Sequence, residues 1–192
     1  MHESHKGSLI FTVGSSRSGK STYANNWVRE MGFDSQGLNG NPRVVVDSDY
    51  IRQAIHGERY IRKAEPFVFA TKWIMIRALL SSGFDVLCDD SRTTKQSLKE
   101  LFEIDPNAQF IFIDTPAKTC IERAVATGQQ DLIPVIQRMW KNIYNLANYG
   151  DNGDFWNSNT DTPINRIQCN FNFRVNIGIE KIRQEVKDMK NG

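Results

Sequence analysis

Short apolar runs alternate with longer segments of helical periodicity along most of the chain. Four runs are rich in Val, Ile, Leu or Phe and lead into turn residues, which predicts strands at Leu9–Val13, Arg43–Val46, Asp85–Cys88 and Gln109–Ile113. A fifth strand is predicted at Gln168–Val175. The alternation predicts an α/β fold, with a parallel β-sheet of about five strands flanked by helices.

Helical spacing marks several segments between these runs. Helices are predicted at Lys20–Met31, at the strongly apolar Pro66–Leu80 and from Pro134 onward. The helix after Pro134 carries an apolar stripe that we expect to lie in the core: Ile136, Met139, Trp140, Ile143, Leu146 and Ala147. The polar segment 148–166 is longer than ordinary connections and is interpreted as a loop insertion or a lid.

Length, composition and net charge are those of an ordinary globular protein. The chain has 192 residues, of which 40% are hydrophobic and 24% charged, with a formal net charge of +2. This is enough apolar material for a single domain over residues 1–192, and it excludes a wholly disordered chain. No apolar run has membrane-spanning length and no signal peptide is recognisable, so we expect a cytoplasmic protein without a membrane partner.

The strongest chemical signal directly follows the first predicted strand. Residues 14–22 match the P-loop pattern G-x-x-x-x-G-K-[ST] between a strand and a helix. The backbone N–H groups of such a loop bind phosphates, so we predict ATP here, with Lys20 at the β and γ phosphates and Ser21 on Mg²⁺. The nucleotide-binding residues are Gly14, Ser15, Ser16, Arg17, Ser18, Gly19, Lys20, Ser21 and Thr22.

Carboxylates follow the second and third predicted strands, at the end of a parallel sheet where ligands bind. Asp49 could accept a proton from a hydroxyl, and Arg52, one helical turn later, could hold an anionic part of the acceptor. Asp47 and Asp89 are assigned to the hydrated metal ion, although the pattern does not decide between Asp89 and Asp90. Asp47 and Asp49 also suit the N-terminus of a following helix.

The P-loop together with Asp49-Tyr50-Ile51-Arg52 resembles the polynucleotide 5′-hydroxyl kinases. In that family an Asp-x-x-Arg element supplies the general base and a ligand for the acceptor phosphate, which implies these roles for Asp49 and Arg52. The turn at residues 89–92 resembles the family's third-strand turn, and we assign acceptor contacts to Asp90 and Arg92. The similarity runs from Leu9 to Ile143 and is specific only at the P-loop and the Asp-x-x-Arg element.

The resemblance also implies the fold of the P-loop kinases, with a helical lid after the fourth predicted strand, but one part of the family's lid pattern is missing here. The lid of these kinases carries a catalytic arginine, whereas residues 124–130 contain no basic residue. Residues 114–123 resemble the chain that leads into the lid, and Arg138 stands at a matching basic position. The resemblance therefore implies that Arg123, Arg138 or Arg17 serves instead.

A basic stretch follows the Asp-x-x-Arg element. Between Ile51 and Leu80 two acidic residues stand against six basic ones, namely Arg52, Arg59, Arg62, Lys63, Lys72 and Arg77. With Tyr60, Phe67 and Trp73 interleaved, the stretch suits contact with a phosphate backbone. Core packing of these aromatic residues, with the basic residues on a solvated face, is the competing interpretation.

These features predict an ATP- and Mg²⁺-dependent kinase that acts on a hydroxyl of a nucleic acid, which we expect to be DNA. Two acceptors fit equally, a polynucleotide 5′-hydroxyl and the hydroxymethyl group of a modified base, because viral hydroxymethyluracil DNA kinases also resemble the chain. The alternative is a kinase of a free nucleoside, nucleotide or other small metabolite, which needs no long basic surface. A nucleotide-dependent switch without an acceptor is disfavoured by Asp49 and Arg52.

Overall fold

Strands and helices alternate in the computed structural model, which describes residues 7–31, 41–150 and 164–191. The strands are β1 (Leu9–Val13), β2 (Arg43–Asp47), β3 (Asp85–Asp89) and β4 (Gln109–Phe112). The helices are α1 (Lys20–Met31), α2 (Ser48–His56), α3 (Glu65–Ser81), α4 (Lys95–Ile104), α5 (Ala117–Ala126), α6 (Ile133–Gly150) and α7 (Ile164–Asn191), with a 3₁₀ turn at Gln130–Leu132.

The strands form one parallel sheet in the order β2-β3-β1-β4. Leu9 of β1 lies opposite Val86 of β3, and Asp47 at the end of β2 lies opposite Asp89 at the end of β3. Parallel pairing brings the strands' carboxyl ends to one edge, where α/β sheets bind ligands. The predicted fold class and the first four predicted strands are confirmed.

The fifth predicted strand is wrong, because Gln168–Val175 lies inside helix α7. The buried apolar positions of α7 recur every three or four residues: Phe171, Val175, Ile179, Ile182 and Val186. Only a helix brings positions with this spacing onto one face. An eight-residue window is too short to separate this period from that of a strand, which explains the error.

The other helix predictions agree with the structure. The predicted bounds of α1 are those observed, and α3 begins at Glu65 with Pro66 in its first turn, where proline costs no hydrogen bond. In α6 the predicted stripe is buried except for the half-buried Met139. Residues 148–150 of the predicted polar loop end α6 and residues 164–166 begin α7, while the rest of that loop lies outside the described residues.

The chain divides into two compact units. The first consists of Met1–Thr12, Lys20–Asp90 and Ala108–Ile111, and its core includes Phe11, Ile76, Val86 and Leu87. The second consists of Val13–Gly19, Ser91–Asn107 and Phe112–Gly192, and α7 packs in it against α4 and α6. The expectation of a single domain stays a prediction. Of the helices in the described ranges, none is long and apolar enough to cross a membrane.

Candidate active site

The loop after β1, in the second unit, has the backbone conformation of an anion-binding turn. Arg17 has φ 65° and Gly19 has φ 107°, both in the left-handed region, and the Ser18 N–H donates to the Ser15 carbonyl at 3.2 Å. A Cβ on Gly14 would lie only 2.9 Å from Ser18 Oγ. The two glycines of the motif are therefore required here, one for its φ and one for a close approach.

Two polar groups of this loop have no strong hydrogen-bond partner among the described residues. Within the part of the chain that the structure describes, the buried Ser18 Oγ has no hydrogen-bond partner. The Ser16 N–H donates to the thioether of Met139 at 3.2 Å, and a thioether is a weak acceptor. A phosphate oxygen would bind both groups more strongly, so the loop fits the predicted nucleotide.

Helix α5 and the turn before it contact the same loop. Arg123 Nη1 donates to the carbonyls of Arg17 at 3.1 Å and Ser18 at 3.2 Å, and Thr115 Oγ1 donates to the Ser18 carbonyl at 2.7 Å. The Arg17 guanidinium in turn donates to Thr127 Oγ1, just after α5. Sequence reasoning missed Thr115 and Thr127, because a lone threonine next to a helix carries no signal of a contact so distant in sequence.

The structure distinguishes the candidate arginines. Arg123 and Arg17 border the phosphate loop, as described above, whereas Arg138 lies on the exposed face of α6. Arg123 is itself largely exposed to solvent. A cation that contacts the loop and remains accessible suits the charge of a transferring phosphoryl group.

The remaining P-loop residues begin α1 in the first unit. Lys20 is only 9% exposed, while Ser21 and Thr22 are exposed on the first turn. The N-terminus of a helix favours negative charge, because its first N–H groups have no partner within the helix. Their position suits the predicted contacts with phosphates and Mg²⁺.

Carboxylates of the first unit gather where β2 and β3 end. Asp47 caps α2 by accepting the Asp49 N–H at 2.7 Å, and the 6% exposed Asp89 accepts from Thr12 Oγ1 at 3.3 Å. Burial, and then the charges of Asp89, Asp49 and Asp90, raise the pKa of Asp47 to about 6, against the opposing effect of the Asp49 N–H.

A divalent cation would relieve this concentration of negative charge. Within residues 7–31, 41–150 and 164–191, however, no group of three or more His, Cys, Asp or Glu side chains is arranged to hold a metal ion. The predicted ion would therefore take its remaining oxygens from Ser21, the nucleotide and water, as Mg²⁺ commonly does.

Arg52 links Asp49 to α3. Its Nε donates to Glu65 Oε1 at 2.8 Å and its Nη2 to Oε2 at 2.9 Å, while Nη1 binds Asp49 Oδ1. This pairing lowers the pKa of Glu65 and raises that of Arg52. The Asp49 side chain remains 79% exposed, whereas that of Arg52 is 16% exposed. The predicted base is therefore accessible and held by a fixed guanidinium, and Glu65 is a site residue that the sequence pattern did not reveal.

Asp90 is engaged inside the first unit. Its Oδ1 accepts from Ser48 Oγ at 2.9 Å and its Oδ2 pairs with the ammonium of Lys72, whose side chain is 0% exposed. The interpretation of Lys72 as part of a solvated basic face is therefore wrong. The residue belongs to the inner stripe of α3 with Val68 and Ile76, four positions away on either side.

Arg92 is buried in the second unit. It is 7% exposed, and its Nη1 donates to the Ser97 carbonyl at 3.3 Å. The proposed acceptor contacts of Asp90 and Arg92 stay predictions.

Two aromatic side chains in α3 and in the segment before it are exposed to solvent and do not pack in the core. Tyr60 is 62% and Phe67 68% exposed, so the core interpretation is wrong for both, while Trp73 is half-buried. Exposed cations stand in the same stretch: Arg59, Arg62, Lys63 and Arg77. The rings of Tyr60 and Phe67 are therefore available to a partner at the surface.

The sequence of this region matches the model of a known protein family. A family model described as an AAA domain aligns with residues 9–143, well over half of the chain. The chain belongs to this AAA domain family. The matched region runs from β1 into α6 and includes every predicted site residue. Membership confirms a P-loop kinase-like protein, whereas the resemblance to polynucleotide 5′-hydroxyl kinases is supported only at this coarser level.

Solved structures share the fold at low identity. A structure of the Pnkp1/Rnl/Hen1 complex aligns at 24% identity with a TM-score of 0.52, over 62% of this chain and 39% of that chain. A structure of the Pnkp1/Rnl/Hen1 RNA repair complex aligns at 19% identity with a TM-score of 0.54, over 73% of this chain and 47% of that chain. Each match thus spans less than half of the length of the solved chain.

A third similar structure is the Mycobacterium tuberculosis APS kinase CysC in complex with AMPPNP and APS. It aligns at 18% identity with a TM-score of 0.48, over 97% of this chain and 99% of that chain. Among curated proteins, no significant match was found.

Proposed function

We propose that the chain is a kinase that transfers the γ-phosphoryl group of ATP to a hydroxyl group of a nucleic acid. The observation that carries the proposal is the pairing of an exposed carboxylate, Asp49, with Arg52, which Glu65 holds in place by two further hydrogen bonds. A carboxylate in this position can accept the proton of an attacking hydroxyl, and the guanidinium can bind a neighbouring acceptor phosphate.

The other roles follow from chemistry at the phosphate loop. In the proposed reaction Lys20 binds the β and γ phosphates, and Arg123 stabilises the charge that develops during transfer. Mg²⁺ would be held by Ser21 with Asp47 and Asp89 nearby, and it supplies charge neutralisation between the phosphates when bound. The buried, unpartnered Ser18 Oγ is what supports a nucleotide at this loop.

A polymeric acceptor is favoured by the surface around α3. Two of the basic residues in the stretch are neutralised internally, Arg52 by Glu65 and Lys72 by Asp90. Arg62 and Lys63 are exposed beside the exposed rings of Tyr60 and Phe67. Cations that follow a backbone and rings on which bases stack are the features of single-strand binding. A free nucleoside would leave most of this surface unused.

The test is phosphoryl transfer from γ-labelled ATP to a panel of acceptors. The panel contains single-stranded DNA and RNA with 5′-hydroxyls, an end-blocked duplex carrying hydroxymethyluracil, and free nucleosides. We expect an oligonucleotide to be preferred over a nucleoside by roughly 100-fold in kcat/KM at low salt, with the gap narrowing as salt is added. The position of the label then distinguishes the 5′-hydroxyl from the modified base.

Charge-removing variants connect this preference to the surface. Lys63→Gln should weaken oligonucleotide binding and reduce its salt dependence by about 0.7 in slope, the value for one lost phosphate contact. The control is Lys118→Gln, whose side chain is 88% exposed on α5 and lies outside the basic stretch. Equal efficiency on nucleosides and oligonucleotides would instead establish the small-metabolite kinase.

A further inference from the structure

Lys72 is a charged residue in a place where water does not reach. Its side chain is 0% exposed in the middle of α3, and its ammonium lies 4.6 Å from the ring centre of Phe69 and 4.5 Å from that of Trp73. Its ion-pair partner is Asp90, directly after β3. A buried ion pair rarely adds stability over apolar residues of the same volume, so stability alone does not account for it.

The contacts of Asp90 extend this pair to helix α2. One carboxylate oxygen binds Lys72, and the other accepts from the Ser48 hydroxyl at 2.9 Å. Ser48 is the first residue of α2 and is 3% exposed. It stands between Asp47, which caps this helix, and Asp49.

We infer that Lys72 is a positioning residue, which fixes the first turn of α2 through Asp90 and Ser48 and thereby sets the place of Asp49. The catalytic consequence rests on the function proposed above. A displacement of about 1 Å in a reacting group can cost roughly 100-fold in rate, so a fixed first turn matters for a base carried on it. The ammonium of Lys72 also offsets the charge of Asp90, which follows Asp89 in sequence and contributes with it to the negative charge around Asp47.

The decisive variant is Ser48→Ala, which breaks the link to α2 and leaves the buried ion pair intact. We expect kcat to fall at least 10-fold with the KM for ATP within twofold of the wild type. Amide hydrogen exchange at Asp49, measured by NMR, should become at least 10-fold faster. The matched control is Ser97→Ala, which removes a hydroxyl from the first turn of α4, where Ser97 forms a capping box with Thr94.

Two further variants test the ion pair itself. Lys72→Met leaves the half-buried Asp90 without its cation and should reproduce the effects of Ser48→Ala. Lys72→Met combined with Asp90→Asn removes both charges but keeps an acceptor for Ser48, so amide exchange at Asp49 should return to within fivefold of the wild-type rate. If Lys72→Met alone does not fold, Ser48→Ala, which keeps both charges, still tests the link to α2.

The outcomes are distinguishable from failure of the proposed function. If folded Ser48→Ala and folded Lys72→Met both keep wild-type kcat and wild-type exchange rates at Asp49, the positioning role is overturned. If the wild type phosphorylates no acceptor, the proposed function fails, and the exchange rate at Asp49 alone decides whether Lys72 holds this turn.

Discussion

The Asp47 carboxylate has two opposing effects on the stability of the fold. As the N-cap of α2 its carboxylate accepts the Asp49 N–H at 2.7 Å, which stabilises the helix. Burial and three neighbouring carboxylates raise its pKa to about 6, which makes the charged form costly in the native state. A carboxylate kept here at the expense of stability is what a cation-binding site requires.

The raised pKa of Asp47 should make the stability of the wild type depend on pH, and replacing Asp47 should remove that part of the dependence. The folded pKa of about 6 exceeds the ordinary 3.8, so the native state binds more protons in this window and stability falls as pH rises through it. Asn keeps the cap without the charge, and Asp47→Asn should be more stable than wild type by about 1 kcal/mol at pH 7. Urea unfolding at pH 4 and pH 7 measures this, and an equal difference at both values would contradict it.

Asp49 is exposed and therefore a good candidate for substitution without damage to the fold. Asp49→Asn removes the proton acceptor while preserving size, so kcat should fall by roughly 10²–10⁴ with ATP binding unchanged. Single-turnover kinetics and nucleotide binding measure the two quantities separately. Asp188→Asn on α7 is the matched control, and full activity of Asp49→Asn would leave the residue only a role at the start of α2.

At the scale of elements, α5 is the helix that completes the phosphate loop. Arg123 in the last turn of α5 and Thr115 in the turn before this helix both donate to the Ser18 carbonyl, across 105 and 97 residues of sequence. Because Arg123 contacts the loop and Arg138 is on the exposed face of α6, we expect Arg123 to serve in place of the missing lid arginine.

The assignment predicts unequal effects for two arginine variants. Arg123→Gln should lower kcat by roughly 10²–10³, because it removes a cation that contacts the loop and would stabilise the transferred charge. Arg138→Gln, on the exposed face of α6, should change kcat by less than about threefold. Steady-state kinetics of both proteins decide the matter, and a larger loss in Arg138→Gln would reverse the assignment.

At the scale of the whole molecule, the two compact units raise the question of whether the chain unfolds as one domain. The composition predicts a single domain of 192 residues, and the second unit has its own buried residues along α7. A cavity in α7 therefore tests cooperativity, because only in a single domain does local damage shift the unfolding of the entire chain.

Ile182, which is 0% exposed, is the residue for this test. Ile182→Ala should cost about 2–4 kcal/mol and lower the midpoint of one calorimetric transition as a whole. Met189→Ala, on the same helix but 60% exposed, should cost much less. Two transitions, with only one of them shifted, would instead show that the units unfold independently.

Much of the candidate site could be predicted from the sequence because its determinants are local. The run from β1 through the P-loop into α1 combines an apolar strand, two glycines and a helix start within 23 residues. The placement of Asp47 and Asp49 follows equally from the end of one strand. The misread segment at 168–175 shows the limit, since a short window does not separate a helical period from that of a strand.

The α/β class, the phosphate loop and the carboxylates that end β2 and β3 could be predicted, because each depends on the order of residues or elements along the chain. Tertiary structure alone decided that Lys72 is buried against Asp90, that Arg123 contacts the loop, and that Phe67 faces solvent. Each of these depends on which residues meet after the chain has folded. The type of a side chain limits the interactions it can form, and its neighbours in the folded protein determine which of them it does form.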